Sequence, residues 1–286
     1  MIFPWILVIG VVLIFSLDQL IERIYRLESK KHRSTPEKFN IDFEQVYIPG
    51  VKDAQLYSWW LPTSPQAPTL ILVHGWGRNL GRMLPYIREL HPMGYNLLAF
   101  DARSHGSSSP IKRPTVGTFS EDILAAIDFM AQSGWVSNNR IGIIGLSIGG
   151  GAAINAASWD QRVKAVITVG AFSHPIEVMK LEFQKRKVPY FISRFLFGYI
   201  QLRHGINFDT IAPVNNIPQS NAEIFLIHGT EDETIPLTQG QSLVDAGKPA
   251  QTQLWAIAGK GHSDCNTHPQ FWKKVSAFLE RTLPIS

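Results

Sequence analysis

At 286 residues the chain is long enough to bury the core of one domain, and an apolar content of 45 % with 11 % aromatics excludes a disordered chain. The net charge is only +4, part of it lies in one N-terminal cluster, and no basic stripe interleaved with aromatics offers a footing for nucleic acid. The one cysteine, Cys265, excludes an intrachain disulfide.

Residues 2–17 are almost wholly apolar, broken by Pro4, Gly10 and Ser16. The run sits at the short end of the roughly 17–25 residues of a membrane span, and Leu20, Ile21 and Ile24 extend it along one face. No lysine or arginine precedes it and no small-x-small cleavage site follows, which speaks against a removed secretory signal. The basic flank Arg23, Arg26, Lys30, Lys31 and Arg33 favours the cytoplasmic side. The expectation is a single-pass N-terminal membrane anchor over residues 1–27, with the folded body in the cytoplasm; a helix lying on that body is the alternative. Removing residues 1–33 is then expected to leave a soluble, folded protein.

Residues 28–40 are charged, polar and broken by Pro36, and read as a linker. The β-rich runs 43–48 and 56–61, joined through Pro49-Gly50, read as an antiparallel hairpin at a sheet edge. From Thr69 onward strand and helix patterns alternate, which predicts a parallel sheet with helices on both faces. Ser120, followed by Glu121 and Asp122, predicts an N-cap and a helix over 123–131. A strand is predicted over 163–170, and a last helix over 271–283 with Phe271, Val275, Phe278 and Leu279 inward. Between them, residues 173–222 carry no clear strand but many aromatics, with Lys185, Arg186 and Lys187 in their midst.

Gly145-Leu146-Ser147-Ile148-Gly149 follows a short apolar run and precedes a run of small residues. That is strand, sharp turn, helix, with a serine at the apex: the setting for a serine nucleophile whose following N–H points at a developing oxyanion. Such a serine needs a base, usually histidine, and a carboxylate to orient it. Downstream, the strand-like run 224–228 leads into Glu231, Asp232 and Glu233, and the run 254–258 leads to Gly261-His262. Upstream, the run 69–73 ends in His74-Gly75-Trp76-Gly77, the place for a second backbone oxyanion donor, and the run 97–100 ends in Asp101.

In this order the motifs resemble the α/β-hydrolase family over residues 40–286. The likeness is to its serine esterase, lipase and peptidase-like branches, membrane-anchored members included. It implies the α/β-hydrolase fold over 41–286: a mostly parallel central sheet, helices on both faces, and a helical cap insertion over about 173–222. It implies Ser147 as nucleophile and His262 as base, and the family's His-Gly-x-x-Asp pattern places the acid at Asp232 rather than at its acidic neighbours. Asp101 is the alternative acid, its usual role being to hold the turn at residues 103–106. The N–H groups of Trp76 and Ile148 are the implied oxyanion donors, and no cofactor is required. A serine rather than an aspartate at the elbow argues against dehalogenase or epoxide-hydrolase chemistry. The expected function is a membrane-anchored serine hydrolase cleaving a carboxylic ester or thioester; a serine peptidase or amidase and a non-catalytic binding scaffold are the rivals. The aromatic cap, with Phe183, Tyr190, Phe191, Phe195 and Phe197, suggests a lipid-like acyl substrate, unless those rings serve only the cap's own core.

Other signals are weaker. His262, Asp264, Cys265 and His268 have metal-ligand spacing, but no second cluster pairs with them, and no metal is expected. The glycines from 142 to 151 fit neither a dinucleotide fingerprint nor a P-loop. His74, His105 and His228, at strand ends or turns, read as structural.

Overall fold

The strands form where short apolar runs rich in β-branched residues are cut off by glycine, proline and polar turns. The computed structural model describes residues 3–135 and 140–285, with side chains from residue 11 onward except 13 and 24. Residues 1 and 2 of the expected anchor lie outside the described residues, as do the side chains of 3–10. In chain order the elements are α1 (Phe3–Tyr25), β1 (Glu44–Pro49), β2 (Gln55–Leu61), β3 (Thr69–Val73), α2 (Leu84–Leu90), β4 (Asn96–Phe100), α3 (Val116–Gln132), β5 (Ile141–Leu146) and α4 (Ile148–Trp159). There follow β6 (Val163–Val169), α5 (Pro175–Lys185), α6 (Tyr190–His204), α7 (Pro213–Asn216), β7 (Glu223–Gly229), α8 (Leu237–Ala246), β8 (Thr252–Ile257) and α9 (Phe271–Thr282).

The sheet has eight strands in the order β1-β2-β4-β3-β5-β6-β7-β8. β1, β2 and β4 pair antiparallel, and every later pairing is parallel. Period-two alternation sends Trp60, Ile71 and Val73 into one apolar cluster with α3, α4 and α8, and Trp59, Leu70 and Leu72 into another with α2 and α9. Both faces are covered, as a parallel sheet requires. This is the fold expected from the sequence, hairpin and last helix included.

The start of α3 differs from expectation. Thr115, not Ser120, is the N-cap: its side chain accepts from Thr118 N–H, and Thr118 Oγ1 accepts from Thr115 N–H. Ser120 lies one turn inside, its hydroxyl donating to the Val116 carbonyl at 2.7 Å. A serine before two acids is an N-cap signature only when no better cap stands upstream.

The cap leaves the body at the carboxyl end of β6 as α5, returns along α6, and rejoins it at α7. Phe197, Ile200 and Phe208 form its own small core, with Phe183 against it. α1 completes that core. Ile21 is 1 % exposed within it, with Leu17 and Tyr25 alongside. Asp18 accepts from Tyr199 Oη at 2.7 Å and pairs with Arg203 at 3.1 Å.

The segment after α1 is also held. Ser29 Oγ donates to the Gly106 carbonyl, and Asn79 Nδ2 donates to the Lys30 carbonyl at 2.7 Å. His32 Nε2 bonds Asp101 Oδ2 at 2.8 Å, and its ring stacks on Tyr57 at 4.9 Å. Among the described residues no helix is long and apolar enough to cross a membrane.

These contacts alter the outcome expected of truncation. Deleting residues 1–16 spares them, and the unfolding temperature stays with that of the full chain. Deleting residues 1–33 also removes Ile21 and His32. Burying one isoleucine is worth about 1.5–3 kcal/mol, and 1 kcal/mol moves the unfolding temperature by about 2–4 °C at this size, so several degrees are lost. Thermal unfolding of both truncations in one detergent buffer checks this; equal temperatures would show that the docked segment adds nothing.

Candidate active site

The site begins with a turn that only glycine neighbours permit. Ser147 has φ 55° and ψ −120°, a backbone state that costs a residue bearing a Cβ roughly 1–3 kcal/mol. A Cβ at Gly145 would lie 2.2 Å from the Gly149 carbonyl oxygen, and one at Gly149 would lie 2.6 Å from that of His74. The turn is fixed by Ser147 N–H donating to the Val169 carbonyl at 2.9 Å and by the Ser147 carbonyl accepting from Gly150 N–H at 2.9 Å. The serine thus stands at the carboxyl edge of the sheet, where α4 starts.

The loop after β3 runs beside it. A Cβ at Gly75 would sit 3.3 Å from Ser147 Cβ. Ile148 N–H, first in α4, is one of the orphan donors of a helix start. Neither it nor Trp76 N–H donates to an acceptor in the hydrogen bonds of the described residues. His74, fully buried, shapes this loop. Its Nε2 accepts from Ala102 N–H at 3.1 Å, so Nδ1 carries the proton and donates to the Gly75 carbonyl at 2.8 Å. Burial drives its pKa down from 6.5 to about 4, and the ring is neutral at physiological pH.

Asp101 is a second support. Its Oδ1 accepts from Leu80 N–H at 2.7 Å, and its Oδ2 accepts from Ser107 N–H at 2.8 Å and bonds His32. It thereby joins the loop after β3, the turn after β4 and the segment after α1. With both oxygens so engaged, and no hydrogen bond to His262 among the described residues, it does not occupy the position of an orienting acid.

Asp232 does. Its side chain is fully buried, and Oδ1 accepts from the N–H groups of Thr234 at 2.9 Å and Ile235 at 2.8 Å. Its Oδ2 faces His262 Nδ1 at 2.7 Å. Nδ1–H therefore donates to the carboxylate, and Nε2 is left as the basic nitrogen. The two loops are laced together: Glu231 N–H donates to the Lys260 carbonyl at 2.9 Å and Gly259 N–H to Thr230 Oγ1 at 3.0 Å. Asp264 Oδ1 accepts from Gly261 N–H at 2.8 Å and holds the turn that presents His262.

Gly170 ties this pair to the serine. It follows Val169, whose carbonyl takes the Ser147 N–H, and has φ +66°. A Cβ there would lie 3.0 Å from both Cε1 and Nδ1 of His262 and 3.4 Å from Asp232 Oδ2. The Asp232–His262 pair is therefore packed on the residue that follows the one fixing Ser147, at the carboxyl edge of the sheet. Among the described residues no hydrogen bond yet joins Ser147 Oγ to His262; such contacts commonly tighten only with substrate in place. His228 lies beneath, buried, its pKa lowered by that burial, with Nε2 donating to the Ile235 carbonyl at 2.7 Å. Cys265 is buried, and His268 packs its ring on Trp255. A cavity of about 890 Å³ between α1 and the turn after β4, lined by Arg23, Arg26, Ser104 and Lys112 among others, holds no member of the triad.

Residues 108–285, which include all three, match the prolyl oligopeptidase family. The chain belongs to this family. Its fold is that of the α/β-hydrolases: a Pyrococcus furiosus esterase, Pf2001, superposes with a TM-score of 0.74 at 22 % identity, covering 90 % of this chain and 98 % of that one. A Pyrococcus horikoshii acylaminoacyl peptidase gives 0.65 at 20 % identity, over 85 % of this chain and 42 % of that one. In sequence the chain is 26 % identical over 219 residues to mouse α/β-hydrolase domain-containing protein 17C, covering 76 % of this chain and 61 % of that protein. It is 24 % identical over 259 residues to protein bem46 of Schizosaccharomyces pombe, covering 88 % and 81 %. The chain thus spans about 61 % of the length of mouse protein 17C. In the chain Ser147, Asp232 and His262 follow β5, β7 and β8 in turn.

Two supporting residues escaped the sequence reading: Gly170 lacked a motif and His32 sat in an unpatterned linker. Asp101 was expected to hold the turn after β4, and its further place at the junction of three segments depends on the fold.

Two outcomes follow. Gly170→Ala pushes a methyl group into the His262 ring and strains a left-handed residue. A displacement of about 1 Å at a reacting group costs about a hundredfold in rate, so kcat for an ester falls by that order while KM changes little; steady-state kinetics read it. Burial of neutral His74 makes stability pH-dependent. The unfolded chain binds a proton at 6.5 and the folded one only near 4, so stability is complete above pH 6.5 and is lost as pH falls toward 4. By pH 5 the loss from His74 is about 2 kcal/mol, and buried His105 and His228, also shifted down, add to it with the same sign. Denaturant midpoints at pH 7 and pH 5 measure it, and the difference shrinks in His74→Asn.

Proposed function

We propose that this member of the family is a membrane-anchored serine hydrolase that cleaves carboxylic esters or thioesters through an acyl-enzyme on Ser147. One observation carries the reading: His262 is bonded to buried Asp232 at 2.7 Å and lies over Gly170, next to the residue that fixes Ser147. In the first half-reaction Ser147 Oγ attacks the acyl carbonyl while His262 Nε2 takes its proton. The N–H groups of Ile148 and Trp76 receive the oxyanion; one such donor is typically worth about 2.7–4 kcal/mol. His262 then protonates the leaving alcohol or thiol, and water enters by the same route in reverse. Asp232 holds the tautomer and stabilises the imidazolium.

The anchor part of the reading rests on the apolar run at residues 2–17 and its basic flank, which set the body on the cytoplasmic side. Amide cleavage is the second reading, favoured by the match to a peptidase family. The triad chemistry serves both. An acyl series of p-nitrophenyl esters beside an acyl-thioester and a blocked peptide separates them, the ester reading requiring faster turnover of the first two.

A fluorophosphonate probe is expected to label the wild-type chain and not Ser147→Ala. Asp232→Asn leaves the site assembled but the tautomer wrong, a change that costs about 10⁴ in kcat in the serine-protease case. Persistent labelling of Ser147→Ala would move the nucleophile elsewhere, and unlabelled wild type with no turnover would favour a binding scaffold.

A further inference from the structure

Helix α6 has two apolar faces, and among the described residues only one is packed. Ser193, Phe197, Ile200 and His204, spaced four, three and four apart, turn toward the cap core. Phe191, Phe195, Gly198 and Leu202 repeat the same spacing on another face, with exposures of 71 % at Phe191, 63 % at Phe195 and 91 % at Leu202. Tyr190, also exposed, stands at the head of this stripe. Single exposed apolar residues are ordinary, but a helical stripe of two phenylalanines and a leucine marks a contact surface.

The stripe continues onto α1. Phe195 stacks on Tyr199, and the Tyr199 hydroxyl reaches the Ile14 carbonyl at 3.4 Å and Asp18 at 2.7 Å. Beyond that junction α1 exposes Val11, Val12, Ile14 and Phe15. Arg194 lies on α6 one turn from Phe191, and Arg186 and Lys187 lie in the turn that leads into α6; all three are exposed and without an acidic partner among the described residues. Apolar and aromatic side chains on one helix face with arginine and lysine beside them are the pattern of a helix lying in a bilayer surface that carries anionic lipid.

We propose that the Phe191–Phe195–Leu202 face of α6 is seated in the surface of the bilayer that holds α1, with Arg186, Lys187 and Arg194 at the headgroups. This rests on the membrane-anchored reading above and deepens it. The cap springs from the carboxyl end of β6, where Ser147 is fixed, so a seated cap brings the catalytic edge to the lipid. The substrate class that fits is an acyl group presented from the membrane, such as a long-chain ester or thioester, rather than a freely dissolved acetyl ester. The exposed phenylalanines then act as membrane contacts and not as the walls of an acyl pocket.

The full chain in vesicles of phosphatidylcholine and phosphatidylglycerol, with a fraction of nitroxide-labelled lipid, tests this. Cys265→Ser provides the background, and single cysteines replace Phe15, Phe191, Phe195 or Lys164, each carrying an environment-sensitive fluorophore. Lys164 is exposed at the amino end of β6, opposite the cap. Probes at 15, 191 and 195 are expected to be quenched by the labelled lipid, and the probe at 164 is not. Quenching at 15, with 191 and 195 behaving like 164, overturns the proposal while the anchor stands. Loss of quenching at 15 as well overturns the anchor reading too, whereas quenching at 191 and 195 alone upholds the cap contact without it. Protection of 191 that needs no vesicles and grows with protein concentration assigns the face to a second copy and overturns the proposal. In the activity arm, Phe191→Asp with Phe195→Asp lowers turnover of a vesicle-borne long-chain ester by about tenfold or more, since burying one such ring is worth at least that factor. Turnover of soluble p-nitrophenyl acetate stays level. Equal losses on both substrates would sink the proposal.

Discussion

The site depends on a turn with no room in it. Ser147 sits at φ 55° because the chain must leave β5 and enter α4 within one residue, and the sheet edge allows no wider path. The strain is held by packing that side chains would prevent: the backbone of 149 lies against that of 145 on one side and of 74 on the other. What the strain gives in return is placement. For the proposed mechanism it sets Ser147 at the carboxyl edge of the sheet, the Ile148 N–H at the start of α4 with no acceptor among the described residues, and the loop after β3 beside them as the place of the second donor. A relaxed turn would bury one or misplace the other. The cost of roughly 1–3 kcal/mol is small beside the contribution of an oxyanion donor, about 2.7–4 kcal/mol.

Parallel pairing turns this local event into a site. Because β3, β4, β5, β6 and β7 end on the same edge, the loops after them converge without any long connection. Their mutual positions are then fixed by a few buried polar groups. His74 and Asp101 hold the loop after β3 that lies beside Ser147; Asp232 and the lacing of residues 229–232 to 259–261 hold His262. Gly170 is the contact between the two halves. Each of these groups sits where a lost partner leaves a buried donor or acceptor unpaired, which costs about 1–3 kcal/mol, so the framework resists sliding in any one direction.

Much of this was legible in the sequence, for a physical reason. The elbow, the acid loop and the histidine loop are local: each is a strand ending in glycine-flanked polar residues, and local steric rules select those residue types. The two aromatic faces of α6 were not legible, because the sequence shows that a ring is present and not which side has a neighbour. Ser120 misled for the reverse reason, since its cap signature is genuine but Thr115 satisfies the same helix start five residues earlier. His32 could not be found at all. Its role exists only because Asp101 and Tyr57, distant in sequence, form the surface on which it lies.

In the proposed membrane-anchored reading the N-terminal segment is more than a tether. A free tether would let the body tumble beside a membrane with its catalytic edge at any angle. Here the end of α1 is clamped on the cap through Asp18 and Ile21, and the residues after it are bonded to the loops after β3 and β4. Two attachments on different elements fix a direction as well as a distance. In that reading, a segment held in this way sets the orientation of the body relative to the membrane. The same contacts explain why the outer face of α6 can stay apolar: it lies next to the exposed residues of α1, on the side of the molecule that α1 itself determines.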